Sequence, residues 1–308
     1  MNPVTASRVL GKRLDIAHLL ANDPPPLDEV LPGLVTGTVG MLAGPGGVGK
    51  TMFELQVAVT LAAGLARQDS LLSAWGGEKL PESPCRVVLV AAEEPVEVIW
   101  LRIRDILRRI DQSNELFDST SLDDVEALLA ENLHIYALAG DVRLQLIDES
   151  LRPTGHMDAL TQVCEGARLV LLDPLRQLHL EDENCSRAMS AMVSQLKRLA
   201  RVTRSAVVFA HHTNRAATQF GMDSADAARG STALTADARW QVNLGGVGRD
   251  DATALGLSSG EAIRHLLLHS AKGNYMERRA PLLLRREAGG VLRAVESRAP
   301  STKRARSK

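Results

Sequence analysis

The octapeptide GPGGVGKT, Gly44 to Thr51, constrains this chain more than any other stretch. Its spacing, G-x-x-x-x-G-K-[ST], lets backbone N–H groups of a glycine-rich turn cradle phosphate oxygens. A lysine at the seventh position reaches the β/γ-phosphates, and the following hydroxyl reaches Mg²⁺. The flanks supply the context that this use requires. TVGMLAG before the loop is apolar and extended, and MFELQVAVTLAAGLA after Lys50 has helical spacing, so the loop lies where a helix N-terminus favours an anion. ATP with Mg²⁺ is therefore the expected cofactor. Gly44, Gly46, Gly47, Val48, Gly49, Lys50, Thr51 and Met52 form the candidate nucleotide-binding set.

The 308 residues allow about two domains on length alone, or one α/β unit. The longest apolar run, from Met52, is broken by Glu54 and Gln56 and is too short to span a bilayer. The first 26 residues lack the apolar core of a signal peptide, and no membrane partner is expected. Three cysteines, Cys85, Cys164 and Cys185, are odd in number and have no C-x-x-C spacing, which argues against a disulfide framework and a zinc site. A reducing cytoplasm fits.

Formal net charge is −1, yet the last twelve residues, SRAPSTKRARSK, carry five basic groups and no acid. The preceding body is thus net acidic and is not a basic nucleic-acid clamp. The tail is either a solvated terminus or a weak, salt-sensitive phosphate binder. Aromatic residues are 3% of the chain, so a single strand held here is expected to be gripped by its backbone rather than by a row of stacked rings.

Periodicity predicts alternating elements. Residues 7–21 read as a helix with Leu10, Leu14, Ala17 and Ala21 on one face, and NDPPPLDEVLPG ends it with four prolines. Strand 38–43, helix 51–66, strand 86–92 and helix 95–110 follow. A helix near 121–131, a strand over 132–139 and a helix near 156–166 occupy the least legible region. RLVLLD (168–173) and SAVVFAHH (205–212), separated by a helix over 186–203, are uninterrupted apolar strands of the kind found in parallel sheets covered on both faces. Segments 238–244, 263–271, 281–286 and 291–296 read as a closing β meander. The fold class is α/β: a RecA-like P-loop core with a doubly wound, mostly parallel sheet, its ligand at the strands' C-terminal ends. The expected division is an N-terminal arm (1–26), an ATPase body (27–296) and a basic tail (297–308).

A P-loop needs a second carboxylate to hold Mg²⁺ through water, and RLVLLD ends in Asp173, where a Walker B aspartate belongs. Thr51 and Asp173 are thus the expected metal-site pair. The position after the aspartate, where many such ATPases carry a glutamate, is Pro174, so the base for the attacking water must come from elsewhere. VVLVAAEEP offers Glu93 and Glu94 at another strand end, with Glu93 as the candidate base and Glu94 as its solvated neighbour. His211 and His212, consecutive on a strand, point to opposite faces and make no shared metal site. Either His212 faces the phosphates and reports nucleotide state, or both are strand-end histidines bonded to backbone. Arg176, Arg215 and Lys272, in or beside the loops beyond the sheet, are the candidate DNA contacts.

Six segments in order, DPPPLDEVLPGLVTGTVGMLAGPGGVGKT, AAEEP, RLVLLDPLRQLHLEDEN, VVFAHHTN, ARGSTALTADARWQ and SAKGNY, resemble the RepA-type replicative helicases of broad-host-range IncQ plasmids, over about residues 23–296. Those are hexameric RecA-like ring ATPases. The resemblance implies roles by position: Lys50 and Thr51 for phosphate and Mg²⁺, Glu93 as base, Asp173 as Walker B carboxylate, and His212 as γ-phosphate sensor. It also implies that Arg239, in DARWQ, is an arginine finger entering the neighbouring subunit's site. The partners implied are a homo-hexameric ring and single-stranded DNA, with a primase or an origin-binding initiator as further candidates. Region 111–167, loop 213–228 and the tail depart from the family pattern. Three activities remain open at this stage: a ring helicase, a RecA-like regulatory or assembly ATPase that unwinds nothing, and a P-loop kinase acting on a small acceptor.

Overall fold

Continuous apolar runs build the centre of this fold, because a strand with helices on both faces has no side that water must wet. The structure is a computed structural model and describes residues 13–76, 80–112, 121–140, 144–213, 232–277 and 279–295. A short helix α1 (Ile16–Ala21), capped by the Asp15 carboxylate on His18 N at 3.2 Å, precedes the proline-rich segment. Next comes a small hairpin of β1 (Glu29–Leu31) and β2 (Leu34–Val35). Then β3 (Val39–Gly44) runs into the phosphate loop and α2 (Lys50–Ala62), followed by α3 (Ser70–Gly76), β4 (Val87–Ala91) and α4 (Val96–Gln112). After α5 (Leu122–Asn132), β5 (Leu133–Ala137) and α6 (Gly155–Val163) come β6 (Leu169–Asp173), α7 (Ser186–Thr203) and β7 (Ala206–His212). The chain then passes through α8 (Thr232–Asp237), β8 (Trp240–Gly246), the helical pair α9 (Arg249–Ala254) and α10 (Ser259–Ala262), and finally β9 (His265–Gly273), β10 (Leu282–Arg286) and β11 (Leu292–Ala294).

Nine strands form one sheet in the order β11, β10, β9, β8, β3, β7, β6, β4, β5. Pairing is parallel from β8 through β5 and antiparallel from β8 out to β11, so the meander expected at the C-terminal end extends a parallel core. Each face carries its own core. Phe53, Leu55, Ile99, Ile106 and Leu129 pack on one side, and Met157, Leu160, Met192, Val193 and Leu196 on the other. The fold class is the expected one, with the switch in strand order beside β3 placing a crevice at the C-terminal ends of β3, β6 and β7.

Several boundaries differ from the periodicity reading. Helix α2 stops at Ala62, short of residue 66, because the chain turns through Gly64 at φ +71°. The first helix spans Ile16–Ala21 among the described residues and not 7–21, since Asp15 caps it there; residues 1–12 lie outside the description. None of its side chains is buried, and Leu14, Ile16, Leu19 and Leu20 are more than half exposed. The β8–β9 connection carries the helical pair α9–α10, where the periodicity reading assigned no element. No helix among the described residues is long and apolar enough to cross a membrane.

Candidate functional site

Strand β3 is buried along its whole length and delivers the chain to the loop at Gly44, whose backbone lies against that of Leu244 on β8. Gly47 (φ +72°) and Gly49 (φ +103°) then take the left-handed conformations that turn the backbone into α2, Gly49 serving as N-cap. A Cβ at Gly47 would meet nothing within 4 Å, and one at Gly46 only the His212 ring edge at 4.0 Å, so the cradle is open towards the cleft.

Within that cleft, of about 280 Å³, the structure brings together Lys50, Thr51, Glu93, Asp173 and His212. Lys50 is buried, and its ammonium donates to the carbonyls of Gly44 (2.9 Å) and Pro45 (3.2 Å). It also lies 3.4 Å from His212 Nδ1. Burial pulls the Lys50 pKa down, against the carboxylates of Asp173, Glu54 and Glu93. Thr51 Oγ1 donates to Asp173 Oδ2 at 2.6 Å, joining the start of α2 to the end of β6. Burial raises the Asp173 pKa, and the Thr51 hydroxyl and the Lys50 charge oppose it.

Glu93 sits one strand further out, beyond β4, and is exposed; Gln177, from the turn after β6, donates to its Oε1 at 3.2 Å. Glu94 is not a free, solvated neighbour. Its Oε1 accepts from Arg102 Nη2 at 2.7 Å, because nearly two turns of α4 carry that guanidinium back over the cleft. The two histidines diverge as the strand alternation requires. His212 faces the cleft, its pKa lowered by burial and then by Lys50, so its imidazole is neutral near pH 7. His211 is buried on the other face, with Nδ1 3.6 Å from Glu183 Oε1.

The remaining candidates lie apart from the cleft. Arg239 is exposed at the start of β8, its N–H donating to Val39 O. That end of the sheet is separated from Gly44 by the six residues of β3, about 20 Å of strand. Lys272 donates to the carbonyls of Thr235 (2.6 Å) and Ala236 (3.1 Å) in the last turn of α8, a use that the sequence alone could not reveal. Arg176 is exposed in the turn after β6, with its guanidinium on Glu181 O at 3.4 Å. Arg215 lies outside the described residues.

Arg286 and Glu54 also touch the site and were not singled out from sequence. Arg286, the last residue of β10, donates to Val48 O at 2.5 Å. Glu54, one turn into α2, is 1% exposed, and its carboxyl lies against that of Asp173. Burial, then the charge of Asp173, pushes its pKa well above the ordinary 4.5. Its sequence signal was only an acid inside an apolar helix. Below about pH 4.5 this carboxyl is protonated in both folded and unfolded chains; as pH rises, the unfolded chain ionises first and stability falls until the folded value is passed. Glu54→Gln is therefore expected to flatten that fall and to exceed wild type by on the order of 1–3 kcal/mol at neutral pH. Denaturant melts of both proteins at pH 4.5 and pH 8 check this, and parallel pH profiles would contradict it.

A triphosphate with Mg²⁺ fits these residues. The open glycine cradle precedes a helix N-terminus, a lysine is held by two carbonyls and a histidine nitrogen, and a hydroxyl–carboxylate pair lies beside it. A family model described as "AAA domain" matches residues 5–218. Among solved structures, the chain is similar to the ATPase domain of G40P, with a TM-score of 0.54 and 16% identity over 96% of this chain and 100% of that one. It is also similar to a DnaB-like replicative helicase, described together with its interactions with primase, with a TM-score of 0.55 and 17% identity over 96% of this chain and 67% of that one. At such identities the likeness is one of fold.

Proposed function

The chain belongs to the AAA domain family, and from that premise we propose that it is an ATP-driven ring helicase that translocates on single-stranded DNA and separates strands during replication of a plasmid or related mobile element. The observation that carries this reading is a pairing of two places. One cleft gathers Lys50, Thr51, Asp173, Glu93 and His212, while Arg239 stands at the opposite end of the sheet.

Bound MgATP supplies the scissile phosphoanhydride bond. In this reading Lys50 exchanges its two carbonyl partners for phosphate oxygens, Thr51 Oγ1 ligates Mg²⁺, and Asp173 holds it through water. Glu93, exposed and steadied by Gln177, orients the attacking water and takes up its proton. His212 stays neutral, so it can accept or donate one hydrogen bond without adding charge, and it passes the state of the site to the segment that follows β7. Arg239 serves a neighbouring copy, since about 20 Å separates it from its own cleft. Sites completed in trans favour a head-to-tail ring, here a homo-hexamer, with the exposed apolar side chains of the 1–26 arm covering part of the next subunit and the basic 297–308 tail adding affinity for DNA. Primase or an origin-binding initiator is the proposed replication partner, and the cytoplasm the place of action.

Displacement of a labelled strand from forked DNA tests the reading. Wild-type protein is expected to unwind one fork polarity with ATP, and single-stranded DNA is expected to stimulate its hydrolysis. Hydrolysis without displacement on forks of either polarity would favour a regulatory ATPase. A protein that stays monomeric with ATP and DNA and shows no DNA-stimulated hydrolysis would overturn the helicase.

A further inference from the structure

The antiparallel edge of the sheet gathers arginines. β10 pairs with β9 and β11 so that Arg285 stands opposite His265 on one side and opposite Arg293 on the other. Arg264, the residue before β9, is exposed, and its carbonyl accepts from Arg286 N at 2.7 Å. Arg264, Arg285 and Arg293 thus stand side by side on three neighbouring strands, about 5 Å from one strand to the next. A single carboxylate serves this group. Glu287 Oε2 accepts from Arg109 Nε of α4 at 2.7 Å and Oε1 from Arg285 Nη2 at 2.9 Å, while Arg293 Nη1 lies 3.8 Å from the latter oxygen. Burial alone would raise the Glu287 pKa, but Arg285 and Arg109 hold it below the ordinary carboxylate value, so it is ionised at neutral pH. Three guanidiniums around one carboxylate leave positive charge in excess, and Arg264, which has no carboxylate partner among the described residues, adds to it.

The body of the chain is net acidic, so this concentration of positive charge is a local feature. Guarding an edge strand against pairing accounts for Arg293 on β11. It does not account for Arg264 and Arg285, which belong to strands inside the sheet, or for placing Arg285 directly opposite Arg293, where like charges repel unless an anion lies between them. Arg264, Arg285, Glu287 and Ala288 border a concavity of about 650 Å³, and its remaining wall is Arg286, whose guanidinium reaches back to Val48 O. No aromatic or large apolar side chain lines it among the described residues, so nothing there grips a base or another ring. Guanidinium forks in such a place select phosphate groups and carry no sequence information.

Its position says which phosphates. Leu266 at the start of β9 pairs with Gly246 at the end of β8, so the patch lies at the same end of the sheet as the phosphate loop and the loops beyond β6 and β7. Strands β9, β8 and β3 stand between β10 and β7, which puts roughly 20 Å of sheet between the patch and those loops. That span is comparable to the width of a duplex. We propose that this arginine patch binds the phosphate backbone of the second strand of a replication fork, the one that the loops beyond β6 and β7 do not hold. The inference rests on the helicase reading and adds to it a contact that keeps separated strands apart.

The test measures, by fluorescence anisotropy, how the whole chain assembled with a non-hydrolysable ATP analogue binds two labelled DNAs of each polarity: a fork with both single-stranded arms, and the same duplex with one arm. Wild type is expected to bind the two-armed fork about tenfold tighter at low salt, with a plot of log affinity against log salt steeper by about 1.4, as two additional single-strand phosphate contacts require. Arg264→Gln combined with Arg293→Gln is expected to remove both the advantage and the added slope while one-armed DNA binds as before. Arg264→Lys combined with Arg293→Lys keeps the charge and is expected to keep the slope. An advantage that survives the double glutamine variant, or a slope lost equally in the double lysine variant, would overturn the patch. Loss of ring assembly in the glutamine variant would also overturn it, by making these arginines a contact between copies. Equal binding of both DNAs by a wild type whose hydrolysis DNA still stimulates would remove the second-strand contact alone, whereas a wild type that binds neither DNA would remove the helicase reading beneath it.

Discussion

Lys50→Ala is expected to leave a folded protein that no longer holds a triphosphate and hydrolyses none above background. The ammonium is buried, its partners are two carbonyls that a phosphate can replace, and Asp173, Glu54 and Glu93 surround it. Truncating one partner of a buried, hydrogen-bonded charge pair costs a binding interaction about 3–5 kcal/mol, which corresponds to roughly 10²–10⁴ in affinity. Lys50→Arg is not expected to rescue it, because a planar guanidinium cannot stand where one compact ammonium fits between the Gly44 and Pro45 carbonyls. Loss of the nearby cation should also leave Asp173 and Glu54 easier to protonate, so the variant's stability should depend on pH differently from wild type. Titration with a fluorescent ADP analogue, alongside a circular dichroism spectrum to verify folding, measures the effect. Affinity within tenfold of wild type would mean that Lys50 is not the phosphate ligand.

What was legible in the sequence follows physical rules that act locally. Strands buried on both faces must be apolar throughout, so LVLLD and AVVFAHH announced β6 and β7, and with them the positions of Asp173 and His212. Alternation along a strand is enough to send His211 and His212 to opposite faces. The residues that escaped are those whose meaning depends on partners far away in the chain. Arg286 reaches a carbonyl 238 positions earlier only because β10 folds back beside the antiparallel edge. Lys272 reads as a free cation until α8 is brought beneath it. Glu54 and Gln56 both interrupt the same apolar helix, yet Gln56 is satisfied by Asp69 and by the backbone of Leu292, while the Glu54 carboxyl is buried against that of Asp173. Sequence gives such a pair one description, and tertiary contacts give it two.

The same distinction between near and far makes Arg239 the most decisive residue of the proposed ring. Because it lies at the end of the sheet away from its own cleft, Arg239→Ala should leave nucleotide binding by an isolated subunit nearly unchanged while hydrolysis falls. A charge supplied to phosphoryl transfer by an arginine finger is worth about 10³–10⁵ in rate. Mixing two inactive proteins separates this from a folding defect. In a ring assembled from Arg239→Ala and Lys50→Ala subunits, some sites pair an intact Lys50 with an intact Arg239 from the neighbour. Random mixing makes this true of about a quarter of the sites. Hydrolysis should then return to a measurable fraction of wild type, although neither variant has any alone. If the mixture stays as inactive as its components while rings still form, Arg239 does not act across the interface, and a charge at the far end of β8 needs another explanation.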